Sequence, residues 1–528
     1  MSFTSFQFIG FFVLMLVPYY FMPKKLQWVW LLVGSYVFYL WSVPEFAFFL
    51  LFSTVTTYLF PLQIGKINTK QTEWLKKNGE GLTREEKKSY KQAGDRNKKL
   101  LVFLCLLCNL GFLALVKYMG TLVGIFNSVG ANISIDWLIF PLGISFYTFQ
   151  SVGYAIDVYR GAEEPQKNFF KYALYVSFFP QICQGPIGRY SSLAPQLYKP
   201  HKFDYDGFVY GLQRMLLGFF KKLVIANRIT IVVDYFYGSV GKYSGVALAF
   251  ATFMYAIQLY ADFSGYMDIA IGAGKCFGIK LDKNFEQPYF SRSIAEFWRR
   301  WHITLGSWFR DYLYYPVLRS SWCSKLGKNI SKSGNKKLAQ MITTALALSI
   351  TWLAIGVWHG SKLTFLFYGI YHGLFIVLDI VLSDKYAKAK KRFNICEEMR
   401  LWKAFQTLRT FFIVCVGYVL FRSDSITDAI TPFGNFVIKP VISSSSLFLE
   451  LKEGVFALPP IQYIILFAAL LPILLMEIYS FRKGDFTSWF AKRPTFFRWG
   501  CLYITFLATI FIGTTGSVGA SSFLYFKF

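Results

Sequence analysis

An all-α, polytopic integral membrane protein is the fold class that the sequence predicts, and three observations predict it. More than half of the 528 residues are hydrophobic (55%) and only 16% are charged, against about a quarter in an ordinary soluble domain. Apolar runs recur along the whole chain, each close to the roughly 20 residues a helix needs to cross a bilayer. The formal charge of +27 is gathered in a few loops between those runs, as in the cytoplasmic loops of multi-pass proteins. With no long basic tail and no aromatic-basic RNA-binding motif, the charge points to membrane lipids and not to nucleic acid.

The spans follow in order. Strong candidates are residues 5–22, 28–43, 45–62, 100–119, 138–158, 243–262, 338–358, 362–382, 405–422, 459–479 and 500–518. Weaker apolar stretches near 170–187, 208–234 and 264–279 carry Gly, Pro or charges and suit tilted or re-entrant segments. The first run has no basic residue before it and no small-residue cleavage site, so it reads as a spanning helix and not a secretory signal. The loop at 64–99 holds eleven Lys/Arg against five Asp/Glu, and 319–337 holds six basic residues and no acid. With the basic loops 384–403 and 482–498, these belong in the cytoplasm, and the mildly acidic 424–458 belongs outside. Both termini then lie outside; the side of 160–336 is left open.

Three stretches depart from the simple span. Cys105 and Cys108 form a C-x-x-C pair inside an apolar run, and no second pair completes a zinc site, so buried helix thiols and no metal are expected. The stretch "SFFPQICQGPIGRY" (177–190) has two prolines and two glycines and reads as irregular backbone at membrane depth. In "EFWRRWHITLGSWFRDYLYYP" (296–316), Trp298, Trp301, Leu305, Trp308 and Tyr312 recur at helical spacing. An amphipathic helix at the membrane interface is expected there.

Polar groups at membrane depth are costly and are therefore the candidates for function. The chain has four histidines, and two of them lie in "GVWHGSKLTFLFYGIYHG" (356–373). His359 has Gly356 and Gly360 beside it, which let a backbone or a ligand approach closely. Its ordinary pKa near 6.5 suits general-base work; a satisfied core histidine is the bland alternative. His372 lies 13 residues on, roughly 220° round a continuous helix, so the two make no metal-binding pair, and His372 reads as packing. His302 follows Arg299 and Arg300. Those arginines suit bidentate phosphate contacts, to lipid headgroups or to an anionic cofactor. Asp262 and Asp268 read equally as coupling sites of a transporter or as hydrogen-bonded groups in a bundle.

Taken in order, "PLGISFYTFQSVGYAIDVYRG", "SFFPQICQGPIGRY", "ADFSGYMDIAIG", "FWRRWHITLGSWFRDYLYYP" and "WHGSKLTFLFYGIYHG" resemble the membrane-bound O-acyltransferases (MBOATs). The similarity is to the bacterial branch that O-acetylates alginate and peptidoglycan and, more distantly, to the teichoic-acid D-alanylation type. It is strongest over 137–375. The resemblance implies an MBOAT-type ring of tilted helices, with re-entrant and amphipathic helices, around a thinned centre. It implies a core over 1–380 and a C-terminal transmembrane extension over 381–528. The histidine of W-H-G is the family's catalytic histidine, here His359, and that of W-R-R-W-H is its second active-site position, here His302. Trp298, Arg299 and Arg300 become candidates to meet an acyl thioester donor, acetyl-CoA or an acyl carrier protein, with no permanently bound cofactor.

The sequence closes on "SSFLYFKF", which fits F-x-Y-x-x-F over Phe523, Tyr525 and Phe528. Similar endings in polysaccharide acylation systems imply Tyr525 as an acyl relay; an aromatic anchor at the membrane surface is the alternative. The implied activity is a bacterial plasma-membrane O-acyltransferase passing an acyl, specifically acetyl, group outward to a cell-wall or exported polysaccharide. Its implied partners are an extracytoplasmic SGNH-type acetyltransferase or a small acyl carrier protein. D-alanyl transfer, and a polytopic transporter or flippase, are the alternatives.

Overall fold

The structure is a computed structural model that describes residues 2–42, 44–134, 143–332, 334–439, 450–452 and 458–514. Among the described residues every element is helical, apart from one bridge between Phe285 and Trp301. The chain forms two compact units, 1–215 with 269–282, and 216–268 with 283–528. The boundary expected at 380 falls inside the second unit.

The first unit opens with α1 (Phe6–Phe21) and α2 (Gln27–Ser42), continues with α3 (Ala47–Asn78), α4 (Arg84–Ser128), α5 (Ile144–Arg160), α6 (Phe169–Ser177), α7 (Phe179–Ile182), α8 (Tyr190–Tyr198) and the first turns of α9 (Tyr205–Phe219), and takes in 269–282 from later in the chain. At 45 residues α4 is about 68 Å long, more than twice a hydrocarbon core of roughly 30 Å. Its polar N-terminal third and the polar end of α3 make up most of the basic 64–99 region. A reciprocal cap starts α4: Thr83 Oγ1 accepts from Glu86 N–H, and Glu86 Oε2 accepts from Thr83 N–H at 2.8 Å. Before α5, Gly143 has φ +72°, and a Cβ there would lie 2.1 Å from Ile182 O; only glycine fits. The 177–190 stretch is broken as expected, and every residue from 172 to 188 is buried. Side chains satisfy its loose backbone: Gln150 donates to Tyr175 O, and Tyr175 Oη donates to Gly188 O at 3.1 Å.

In the second unit a π-helical segment, Phe220–Ala226, leads into α10 (Asn227–Tyr237) and α11 (Gly245–Cys276), whose last turns from residue 269 belong to the first unit. After them come α12 (Ile294–Arg300), α13 (Ile303–Phe309), α14 (Tyr315–Leu318), α15 (Ser321–Lys332), α16 (Lys336–His359), α17 (Leu363–Val381), α18 (Ser383–Arg392), α19 (Arg400–Arg422) and α20 (Ile426–Ile438). The unit ends with α21 (Pro460–Lys483), α22 (Phe486–Ala491) and α23 (Thr495–Leu507).

Eight helical segments of the described chain are long and apolar enough to cross a membrane: 44–78, 84–128, 245–276, 336–359, 363–381, 400–422, 460–483 and 495–512. The protein is a multi-pass membrane protein. Of the eleven expected spans, 5–22 and 28–43 form 16-residue helices, about 24 Å each. The span at 138–158 runs into residues outside the described set.

The 296–316 segment corrects the sequence reading. It is not one helix: α12 stops at Arg300, Trp301 is extended, and His302 is left-handed at φ +47°. Nor does its aromatic stripe face lipid. Trp301, Leu305, Trp308 and Tyr312 are all buried, so the periodic face is core.

Candidate active site

The site is built by elements of the second unit alone. Residues 283–303 carry a helix that is interrupted from outside. Ser293 Oγ accepts from Glu296 N–H and starts α12. After α12 the backbone of 284–286 takes over: Glu286 N–H donates to Arg300 O, and Ile303 N–H donates to Asn284 O, both at 3.0 Å. That pairing holds Trp301 extended and turns His302 into the left-handed region, where a non-glycine residue is strained by about 1–3 kcal/mol.

The His302 side chain is 2% exposed. Its Nδ1 lies 3.2 Å from Asn284 Oδ1. The ring stands edge-on to Phe263, with centroids 4.8 Å apart, and 6.2 Å from the Trp358 ring. Although outside the eight spans, the imidazole is enclosed, and burial pushes its pKa well below the ordinary range. It is therefore neutral at physiological pH.

His359 reaches the same indole from its other neighbour. It is the last residue of α16, and its ring lies 4.8 Å from Trp358 and 5.1 Å from Phe421, with Tyr368 at 5.8 Å and Phe365 at 6.1 Å. Gly356, before it, and Gly369, on α17, serve backbone contact. A Cβ on Gly356 would sit 2.7 Å from Phe365 O, and one on Gly369 would sit 2.4 Å from Trp352 O. With no side chain at either place, α16 and α17 close into a hairpin that holds His359 at its end. The structure thus brings His302, Trp358 and His359 together, although 57 positions separate the two histidines (359 − 302).

His372 lies elsewhere, on α17 and fully buried. Its ring packs 5.1 Å from Trp298, 4.6 Å from Tyr368 and 5.2 Å from Tyr371, and a Cβ on Gly417 would collide with its Nε2 at 2.5 Å. Tyr368 therefore touches both His359 and His372. The cluster Trp298, Arg299 and Arg300 is split. Trp298 points into the His372 packing, Arg299 is exposed, and Arg300 pairs with Glu296 at 2.9 Å and lies over the Phe481 ring. A different set of cations lines a cavity of about 850 Å³: Arg292, Lys390, Lys391 and Arg409, with Asp379 and Glu397. Its wall includes Phe375 and Ile413, and Tyr371 Oη donates to Ile413 O at 2.9 Å. The cavity therefore borders the His372 packing. Tyr525, with Phe523 and Phe528, lies outside the described residues.

Two features escaped the sequence reading. One is Asn284. The other is the partner of the intramembrane acids: Lys221 meets Asp268 at 2.9 Å, and Lys222 meets Asp262 at 2.5 Å, all four buried. The signal was present, since Lys221 and Lys222 sit as unexplained cations in the apolar run 208–234, just as the two aspartates sit in theirs. Cys105 and Cys108 are free thiols.

Comparison with known proteins adds to this geometry. The model of the membrane-bound O-acyltransferase family matches residues 166–421. The chain is 32% identical to a probable alginate O-acetylase of Pseudomonas syringae pv. tomato, over 79% of this chain and 71% of the relative. It is 32% identical to the peptidoglycan O-acetyltransferase of Helicobacter pylori, over 63% and 64%. A teichoic acid D-alanyltransferase of Bacillus subtilis is 28% identical, over 54% and 69%.

Proposed function

This chain belongs to the membrane-bound O-acyltransferase family, and on that premise we propose that it moves an acetyl group from a cytosolic thioester to the hydroxyl of a cell-wall or exported polysaccharide. The observation that carries the reading is the placement of His302 and His359 against one indole, Trp358. Two imidazoles against one indole give one group to take a hydroxyl proton and a second beside the same ring. Both alginate- and peptidoglycan-acetylating relatives match more of the chain than the D-alanyl transferase does, which favours acetyl over D-alanyl.

In the proposed step a histidine accepts the proton of the attacking hydroxyl as its oxygen adds to the thioester carbonyl. The C–O bond forms, the C–S bond breaks, and the thiolate leaves and takes up a proton. His359 is the base in this reading. The developing oxyanion needs a donor, and this reading assigns that role to the Trp358 indole N–H. The basic cavity beside α17 and α19 suits the anionic end of a thioester carrier, whether CoA or a carrier protein.

His359→Ala tests the reading. Base-releasable acetyl in the cell envelope is expected to fall by about 10²–10⁴-fold, the contribution of a general base, while the protein still accumulates in the membrane. Full acetylation by that variant would remove His359 from the reaction. The relay proposed for Tyr525 is tested separately: Tyr525→Phe keeps the ring and deletes the nucleophilic hydroxyl, so unchanged envelope acetyl would leave Tyr525 an anchor.

A further inference from the structure

Asn284 is almost completely buried, at 1% exposure, and its amide is oriented by a group that leaves no choice. A backbone N–H can only donate, and Thr304 N–H points at the amide atom 3.0 Å away. That atom is therefore the oxygen, Oδ1; the flipped amide would set two donors against each other. The Thr304 hydroxyl donates to the same oxygen at 2.9 Å, and Nδ2 is left to donate to the Met267 sulfur at 3.2 Å. His302 Nδ1 faces this fixed oxygen at 3.2 Å. An amide oxygen only accepts, so the proton of the neutral imidazole sits on Nδ1 and the lone pair is on Nε2.

We propose that Asn284 is the positioning residue of the site: it fixes the tautomer and the ring of His302 so that Nε2 is a proton acceptor. The inference rests on the acyl-transfer reading of His302. It also sharpens that reading, because a neutral His302 held this way offers no N–H at Nε2 to an oxyanion. The same contact supports the left-handed backbone at His302, since Asn284 O accepts from Ile303 N–H while Asn284 Oδ1 accepts from Thr304 N–H. One asparagine therefore sets both the backbone turn and the ring.

Two substitutions separate the oxygen from the rest of the amide. Asn284→Asp keeps an acceptor toward His302 Nδ1 and Thr304 but replaces the Nδ2 donor by a second, ionisable oxygen; Asn284→Ala loses acceptor and donor together. Envelope acetyl per unit of membrane-inserted protein is expected to fall about tenfold or more in Asn284→Ala, by analogy with losing the group that orients a metal-bound histidine. It is expected to stay within about threefold of wild type in Asn284→Asp. Met267→Leu, which removes the sulfur alone, is expected to leave acetylation unchanged. Equal losses in the Asp and Ala variants, a full-activity Ala variant, or a Met267→Leu loss as large as that of Asn284→Ala would each overturn the proposal. Should Asn284→Ala fail to accumulate, an inserted but inactive Asn284→Asp overturns it alone, and an active one supports it. His302→Ala keeps the two readings apart: full acetylation there sinks the role of His302 itself, whereas its loss together with a negative Asn284 result sinks only the positioning.

Discussion

Within the second unit, Lys221, Lys222, Asp262 and Asp268 form one buried polar cluster, and Asn284, His302 and His359 form another. The first is charged and matched: each lysine meets its own aspartate at 2.9 and 2.5 Å, and the ammonium groups also lie over the rings of Tyr260 and Tyr266. The second holds no ion pair, and its groups meet an amide, a threonine and aromatic rings. A buried charge is tolerated only when a partner cancels most of its desolvation cost. Once cancelled, it has little left to offer a substrate. A neutral imidazole costs less to bury and keeps a lone pair for chemistry. The difference separates polarity spent on pairing from polarity left open to chemistry, which residue type alone does not.

Substitutions in the two clusters are expected to divide the same way, into losses of activity and losses of stability. On the functional side, His359→Ala is expected to lose about 10²–10⁴ in acetylation with little change in the melting temperature of the detergent-solubilised protein. The structural side reverses that pattern. Lys222→Ala strands the Asp262 carboxylate, 3% exposed, and is expected to cost about 3–5 kcal/mol of stability. The double variant Lys222→Met, Asp262→Leu removes both charges and is expected to recover most of that loss, together with wild-type acetylation. An inactive but stable double variant would move the ion pair into the mechanism, and with it the transporter-like reading of the aspartates.

The same contrast accounts for what the sequence disclosed. The α16–α17 hairpin was legible, because two long apolar runs flank a W-H-G-S-K break. The meeting of His302 and His359 was available only by resemblance. No periodicity links residues on separate helices, and Asn284 sits in a polar-looking "DKNFEQP" that reads as an ordinary loop. The break at His302 was hidden because α12 and α13 continue one aromatic stripe across it, so helical spacing survives where the helix does not. Burial of that stripe was equally hidden, since Trp and Tyr at helical spacing suit an interface and a core alike. The splitting of Trp298 from Arg299 was in principle readable, because neighbours on a helix point about 100° apart. The ion pairs were half legible: both aspartates stood out, but their lysines fell in a segment whose π-helical geometry has no sequence signature.

The smallest effect is expected where charge meets water. Lys362 Nζ bonds to Asp424 Oδ1 at 2.6 Å, just before α17 and two residues past Gly360, and the aspartate side chain is 74% exposed. This hydrogen bond holds the Asp424 carboxyl below the usual carboxylate range. A depressed carboxylate pKa stabilises the fold above the unfolded value near 3.9, and the contribution is lost as pH falls through the folded pKa. Exposure and salt screening keep it small, so Lys362→Ala is expected to cost about 0.2–1 kcal/mol at neutral pH. The cost should shrink further in 1 M salt, where the screening length falls to about 3 Å. Acetylation is expected to stay within about twofold of wild type, because the hairpin that holds His359 is closed by the backbone contacts at Gly356 and Gly369 and not by this pair. A tenfold loss of acetylation in Lys362→Ala at unchanged melting temperature would give this half-exposed cation a role beyond the surface pair: a contact with substrate.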